Sequence, residues 1–160
     1  MAVKSLGYVV IETARPKEWG RFLTEVAGVM RAPDAADGAM QFRIDDRPFR
    51  FRIETAGREW FKAAGYEVAD RAALIAAAGR PVEHFTPDKA TLRGVAAGFV
   101  TSDPAGNGLE FYCGDSRTDA PFVSPLGISH FITGEMGMGH AVFSAPDFPA
   151  TLAFHRDVIG

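Results

Sequence analysis

The chain has 160 residues, 47% of them apolar and 23% charged, with a formal net charge of −3. That apolar content is enough for one packed core and argues against disorder, while the slightly acidic balance offers no basic field for nucleic acid or anionic lipid, so neither is expected as a partner. Cys113 is the only cysteine, which excludes an intrachain disulfide and a cysteine-based zinc cluster and fits a cytoplasmic location; no apolar run is long enough for a signal-peptide core or a membrane span.

Residues 5–12, rich in Val and Ile, read as a strand. Pro16 suits the first turn of a helix, Trp19, Phe22, Leu23 and Val26 follow at helical spacing, and Gly28 supplies the C-cap. Phe42 and Ile44, then Phe49, Phe51 and Ile53, alternate with charged residues around a turn at residues 45–48, which predicts a hairpin with one wet face. A second unit follows: a strand ending near residues 66–68, a helix from Asp70 to Gly79, a short strand over 82–85, and stronger strands over 95–102 and 109–113 joined by Asp103-Pro-Ala-Gly-Asn-Gly108. The order is βαβββ twice, an α+β class with mostly antiparallel pairing. Residues 116–136 have linker composition.

Residues 139–160 then repeat residues 7–28 at a constant offset of 132, with Gly7, Val10, Phe22, Val26 and Gly28 recurring as Gly139, Val142, Phe154, Val158 and Gly160. A period this long marks whole domains rather than solenoid units. The expected organisation is a two-module domain over residues 1–115, a linker over 116–136, and the first βα of a second domain over 137–160. In the repeat, Tyr8 of the first copy is His140 of the second.

Leu6-Gly-Tyr-Val9, Phe42-Arg-Ile-Asp-Asp-Arg-Pro-Phe49, Ala64-Gly-Tyr-Glu-Val68, Asp103-Pro-Ala-Gly-Asn107 with Leu109-Glu-Phe-Tyr112, and Gly137-Met-Gly-His-Ala-Val142 together resemble the type I extradiol ring-cleaving dioxygenases of the vicinal oxygen chelate superfamily. The resemblance covers essentially the whole chain. It implies paired βαβββ modules, an N-terminal domain that has lost its metal site, and a C-terminal domain holding Fe(II), occasionally Mn(II), through two histidines and a glutamate. Carried over, His140 matches the first metal ligand, on the opening strand of the second domain; the other two would lie beyond Gly160. The implied substrates are a catechol-type, biphenyl-diol-like aromatic and O₂, bound side by side on open iron positions. A homo-oligomer is implied for the intact enzyme, and inactivity for these 160 residues alone, since one histidine leaves a metal weakly held and its geometry undefined.

Glu110 stands where metal-binding domains of the superfamily place a carboxylate, but with Tyr8 opposite it is not assigned as a ligand. His84 and His130 match no ligand position, and His155 aligns with Leu23 and reads as a helix-surface residue. Cys113 ends an apolar strand and reads as a buried thiol; Asp45 and Asp46 belong to a polar turn; Arg43, Arg50 and Arg52 read as the solvated face of the hairpin. Two other readings stay open. A freestanding ligand-sequestering protein of bleomycin-resistance type would use a cleft lined by aromatics such as Phe42, Phe51 and Tyr112, and a glyoxalase-type isomerase would need four metal ligands across a dimer. On the two-domain reading, the apolar residues of the tail should leave it disordered, swapped onto a neighbour, or driving association.

Overall fold

The computed structural model describes residues 3–70, 72–73 and 82–159. Its first unit is β1 (Val3–Thr13), α1 (Pro16–Arg21) running into a π-helical turn (Phe22–Val26), β2 (Met30–Arg31), β3 (Met40–Arg43) and β4 (Phe51–Thr55). The second is β5 (Trp60–Val68), β6 (Glu83–His84), α2 (Pro87–Arg93), β7 (Val95–Ser102) and β8 (Gly108–Asp115). The helix expected over 70–79 lies largely outside the described residues; at its start, Asp70 Oδ1 accepts the Ala73 N–H at 2.8 Å.

All eight strands form one sheet in the order β2-β3-β4-β1-β5-β8-β7-β6. Each unit contributes four strands, and the second repeats the first in mirrored order about the antiparallel β1–β5 seam. Within each unit the first and last strands pair in parallel, β1 with β4 and β5 with β8, and the remaining pairs are antiparallel. This is the paired βαβββ arrangement expected from the sequence.

One face of the sheet is apolar and carries two clusters. Under α1 lie Leu23, Val29, Phe42, Ile44 and Ile53; under the second unit lie Val68, Phe99, Leu109, Phe111 and Cys113. The opposite, inner face is where the hairpin expectation fails. Arg43, Arg50 and Arg52 are 4%, 2% and 0% exposed, so this face is not solvated. Alternation separates the two faces of a strand but does not say which one is covered, and here elements far away in sequence close over the charged one.

Helix α2 was not anticipated, although Thr86 caps it through the Lys89 N–H, Pro87 opens it and Gly94 closes it in the left-handed region. Between Asp115 and Phe148 there is no helix or named strand, yet the segment is seated on the first unit. Ser124 Oγ donates to the Gly28 carbonyl at 2.7 Å, and Phe131 and Met138 pack on the cluster beneath α1. Gly137 then bridges β1 at Leu6, whose N–H donates to the Met136 carbonyl at 3.2 Å and whose carbonyl accepts the Met138 N–H at 2.9 Å.

The second copy of the repeat forms its helix, α3 (Phe148–Phe154), and the same π-helical turn, His155–Ile159. It does not form its strand. Residues 139–146 are irregular, and only residues 136–138 run along the part of β1 that β4 leaves unpaired. The tail is neither disordered nor swapped, two of the three outcomes expected for it. Phe143, Phe154 and Ile159 pack against the second-unit cluster on this chain's own sheet, while Val142, Phe148 and Leu152 stay exposed.

Candidate functional site

The inner face is built around Glu110, which β8 presents opposite Tyr8 of β1. Its carboxylate is 2% exposed and fully engaged: Tyr8 Oη donates at 2.7 Å, Arg93 donates through Nε at 2.8 Å and Nη2 at 3.1 Å, and Lys89 Nζ lies at 3.0 Å. Arg93, from the end of α2, also reaches Glu54 on β4 at 3.2 Å, so one guanidinium ties the two units together over the Tyr8 ring. Glu54 in turn accepts from Arg52 at 2.7 Å and Lys62 at 2.6 Å, and Lys62 continues to Glu12 at 2.8 Å.

Burial alone would raise the pKa of Glu110, but the Arg93 hydrogen bonds and charge outweigh it and hold the carboxyl below its usual range. Glu54 is held at about 2, burial being outweighed by Lys62, Arg52 and Arg93. Burial, reinforced by the Glu110 charge, pushes Tyr8 well above the ordinary phenol value. Tyr8 is therefore a fixed neutral donor. A carboxylate has about four lone-pair sites, and four donors occupy those of Glu110, so it has no oxygen free for a metal.

Below this network, Arg47 pairs with Glu67 and with Asp115 at 3.1 Å, and donates to Tyr112 Oη at 2.9 Å; Arg50 pairs with Asp45. Asp45, Arg47, Arg50 and Glu67 line a cleft of about 650 Å³ against Thr133, Gly134, Glu135 and Gly137. Its cations Lys4, Arg47, Arg50 and Arg117 are all paired with carboxylates, so the cleft is electrically balanced rather than anion-seeking. The ligand cleft imagined between Phe42, Phe51 and Tyr112 does not form. Phe42 and Phe51 lie in the cluster beneath α1, whereas Tyr112 packs with Tyr8 on the inner face.

The four histidines are kept apart. His140 is exposed, two residues beyond the Met138–Leu6 contact. His155 Nε2 sits 3.5 Å from Asp103 Oδ2, at the turn whose Asn107 side chain donates to the Ser144 carbonyl at 2.8 Å. His84 is exposed on β6 near Phe99, and His130 contacts Ser129. Among the described residues, no group of three His, Cys, Asp or Glu side chains could hold a metal ion, so these residues do not by themselves make an iron site. Cys113 is buried, as expected. Sequence reasoning missed Arg93 and Lys89, and the only local signal for them was the capped α2 segment.

Residues 6–55 match the family model described as dihydroxybiphenyl dioxygenase BphC D1. The whole chain is 37% identical to the biphenyl-2,3-diol 1,2-dioxygenase of Paraburkholderia xenovorans (strain LB400) and covers 56% of it. Over its whole length the chain is similar to biphenyl-2,3-diol 1,2-dioxygenases. An iron-dependent extradiol dioxygenase of Rhodococcus jostii (strain RHA1) is 33% identical over all of the chain, which covers 55% of it. The crystal structure of BphC, a halotolerant catechol dioxygenase, superposes with a TM-score of 0.91 at 30% identity, covering 99% of this chain and 55% of that one. The chain thus spans about half the length of the extradiol dioxygenases it matches. Among the described residues, no helix is long and apolar enough to cross a membrane.

Proposed function

We propose that this chain is the non-catalytic N-terminal domain, with the first βα of the catalytic domain, of an Fe(II)-dependent extradiol dioxygenase that opens catechol-type, biphenyl-diol-like aromatic rings with O₂. The observation that carries the reading is the match of the entire chain to about half of an enzyme so named, joined to the repeat that turns Tyr8 into His140. On this reading residues 1–115 form the structural domain, 116–136 the linker, and 137–160 the opening of the catalytic domain. His140 is the first of three ligands, and the other two are supplied by residues after Gly160. Iron, or Mn(II) in its place, would supply adjacent open positions for the catecholate and oxygen. Residues 3–115 contribute a charge-locked platform outside the metal site, and of the described residues His140 alone is assigned to the metal. The saturated inner face argues against the ligand-sequestering alternative. We place the intact enzyme in the cytoplasm, in keeping with the lone buried Cys113, as a homo-oligomer.

The test is oxygen uptake with 2,3-dihydroxybiphenyl and Fe(II), measured on the 160-residue protein and on the native gene product, whose intact mass is compared with 17.2 kDa. The short protein is expected to be inactive, and a native product near twice that mass active. Iron-dependent uptake by the 160 residues alone would overturn the assignment.

A further inference from the structure

The two copies of the βα repeat sit in different surroundings, and each shows what the other lacks. In the first copy, α1 and its π-helical turn use one flank on their own sheet. Gly20 lies against Met40 and Phe42, Leu23 is buried, Ala27 packs on the same cluster, and Trp19, half-buried on its edge, marks the border of this flank. The other flank is bare, with Phe22 and Val26 51% and 67% exposed. In the second copy Ile159, the counterpart of Ala27, again packs on a sheet cluster, but the helix is turned so that the flank left bare in the first copy is the one that packs. Phe154, the counterpart of Phe22, packs on the second-unit sheet with Val68, Phe99 and Phe111, and Thr151, the counterpart of Trp19, is buried. Leu152, the counterpart of Gly20, is left 48% exposed. The helix of this repeat therefore has two apolar flanks, one for its own sheet and one for the sheet of a neighbouring module.

We propose that the Trp19–Phe22–Val26 stripe of α1 is a docking surface for the outer sheet face of the last module of the homologous second half. That contact would mirror the seat of Phe154 on β5, β8 and β7, so that each half lends a helix to the sheet of the other in a pseudo-two-fold exchange. The proposal rests on the two-domain reading above. The stripe has the anatomy of an interface core within a polar rim. Trp19 and Phe22 meet edge to face, 6.1 Å between centroids, and border a depression of about 460 Å³ whose margin is Arg15, Glu18 and Glu59, joined by ion pairs. A sheet face carrying aromatics, like that under Phe154, is the matching occupant.

The experiment places a photoreactive phenylalanine at position 22, and separately at 26, in the native gene product. Position 132, where Ile132 is 95% exposed, serves as the control. Cross-linked peptides are mapped by mass spectrometry after the intact mass is taken. The expected result is an intramolecular cross-link from 22 and 26, absent from 132, to apolar strand residues in the C-terminal half. As a second measurement, Phe22→Glu is expected to speed protease cleavage between the halves on the order of tenfold. In a product of about twice 17.2 kDa, cross-links between copies or to another protein, or none at all, overturn this docking alone. A product of 17.2 kDa overturns the two-domain reading and the docking with it.

Discussion

Tyr8 donates a hydrogen bond to a carboxylate that the fold has shut away from water, and Arg93 supplies the compensating charge. Glu110 is 2% exposed, so removing its guanidinium partner strands a buried anion. Arg93→Ala is expected to cost about 3–5 kcal/mol by urea unfolding, whereas Tyr8→Phe, which leaves Arg93 in place, should cost about 1–3 kcal/mol. Equal costs for the two variants would show that Arg93 does not carry the balance. The same saturation bears on the repeat. Tyr8→His recreates the residue found at position 140, yet Glu110 still faces Arg93 and Lys89, so calorimetric titration with Mn(II) should show no binding. Micromolar affinity would contradict the saturated-carboxylate argument. Tyr8 opposite Glu110 was legible through the resemblance, but the charges that saturate the carboxylate were not. Glu54 and Arg93 are 39 positions apart, and the alternating arginines of the hairpin look wet until β1, Asp37 and the Ala120 carbonyl are brought against them.

At the scale of elements, periodicity served well where a strand or helix makes its contacts locally. The β3–β4 hairpin, β7, β8 and α1 fall where alternation, proline and glycine place them. It served badly where pairing decides. Residues 139–146 carry the same strand pattern as residues 7–14 but pair with no strand of this sheet, so the pattern stays irregular. The short contact that does form depends on Gly137, whose φ of +69° puts it in the left-handed region and where a Cβ would overlap the Leu6 carbonyl oxygen. Gly137→Ala should release residues 136–138 from β1 and raise the rate of proteolysis over 134–147 without unfolding the sheet. Unchanged proteolysis would mean that packing by Phe131 and Met138, rather than the backbone contact, holds the segment.

At the scale of the whole molecule, the doubled βαβββ order was readable because each unit repeats the same succession of patterns. The mirrored strand order was not, because it follows from which strand ends meet at the β1–β5 seam. The charged interior also sets how stability responds to pH. Glu12, Asp45, Glu54, Glu67, Asp103 and Glu110 all have lowered pKa values. Groups lowered by folding stabilise above their unfolded values and lose that contribution as pH falls toward their folded ones. For Glu54 the window runs from the ordinary 4.5 down to about 2. Tyr8 and Tyr112 are raised above 10.0, so their contribution is complete below that value and is lost as pH climbs beyond it. Thermal unfolding followed by circular dichroism should therefore show Tm falling steeply below about pH 4.5 and again above about pH 10. A Tm that held steady from pH 5 to pH 2 would count against the ion-pair interior.

A domain whose inner face is closed by its own guanidinium and carboxylate groups folds with a free energy that does not depend on metal concentration. On the proposed reading, scarcity of iron would leave this half assembled and waiting, and the supply of the metal would limit turnover without limiting the amount of scaffold.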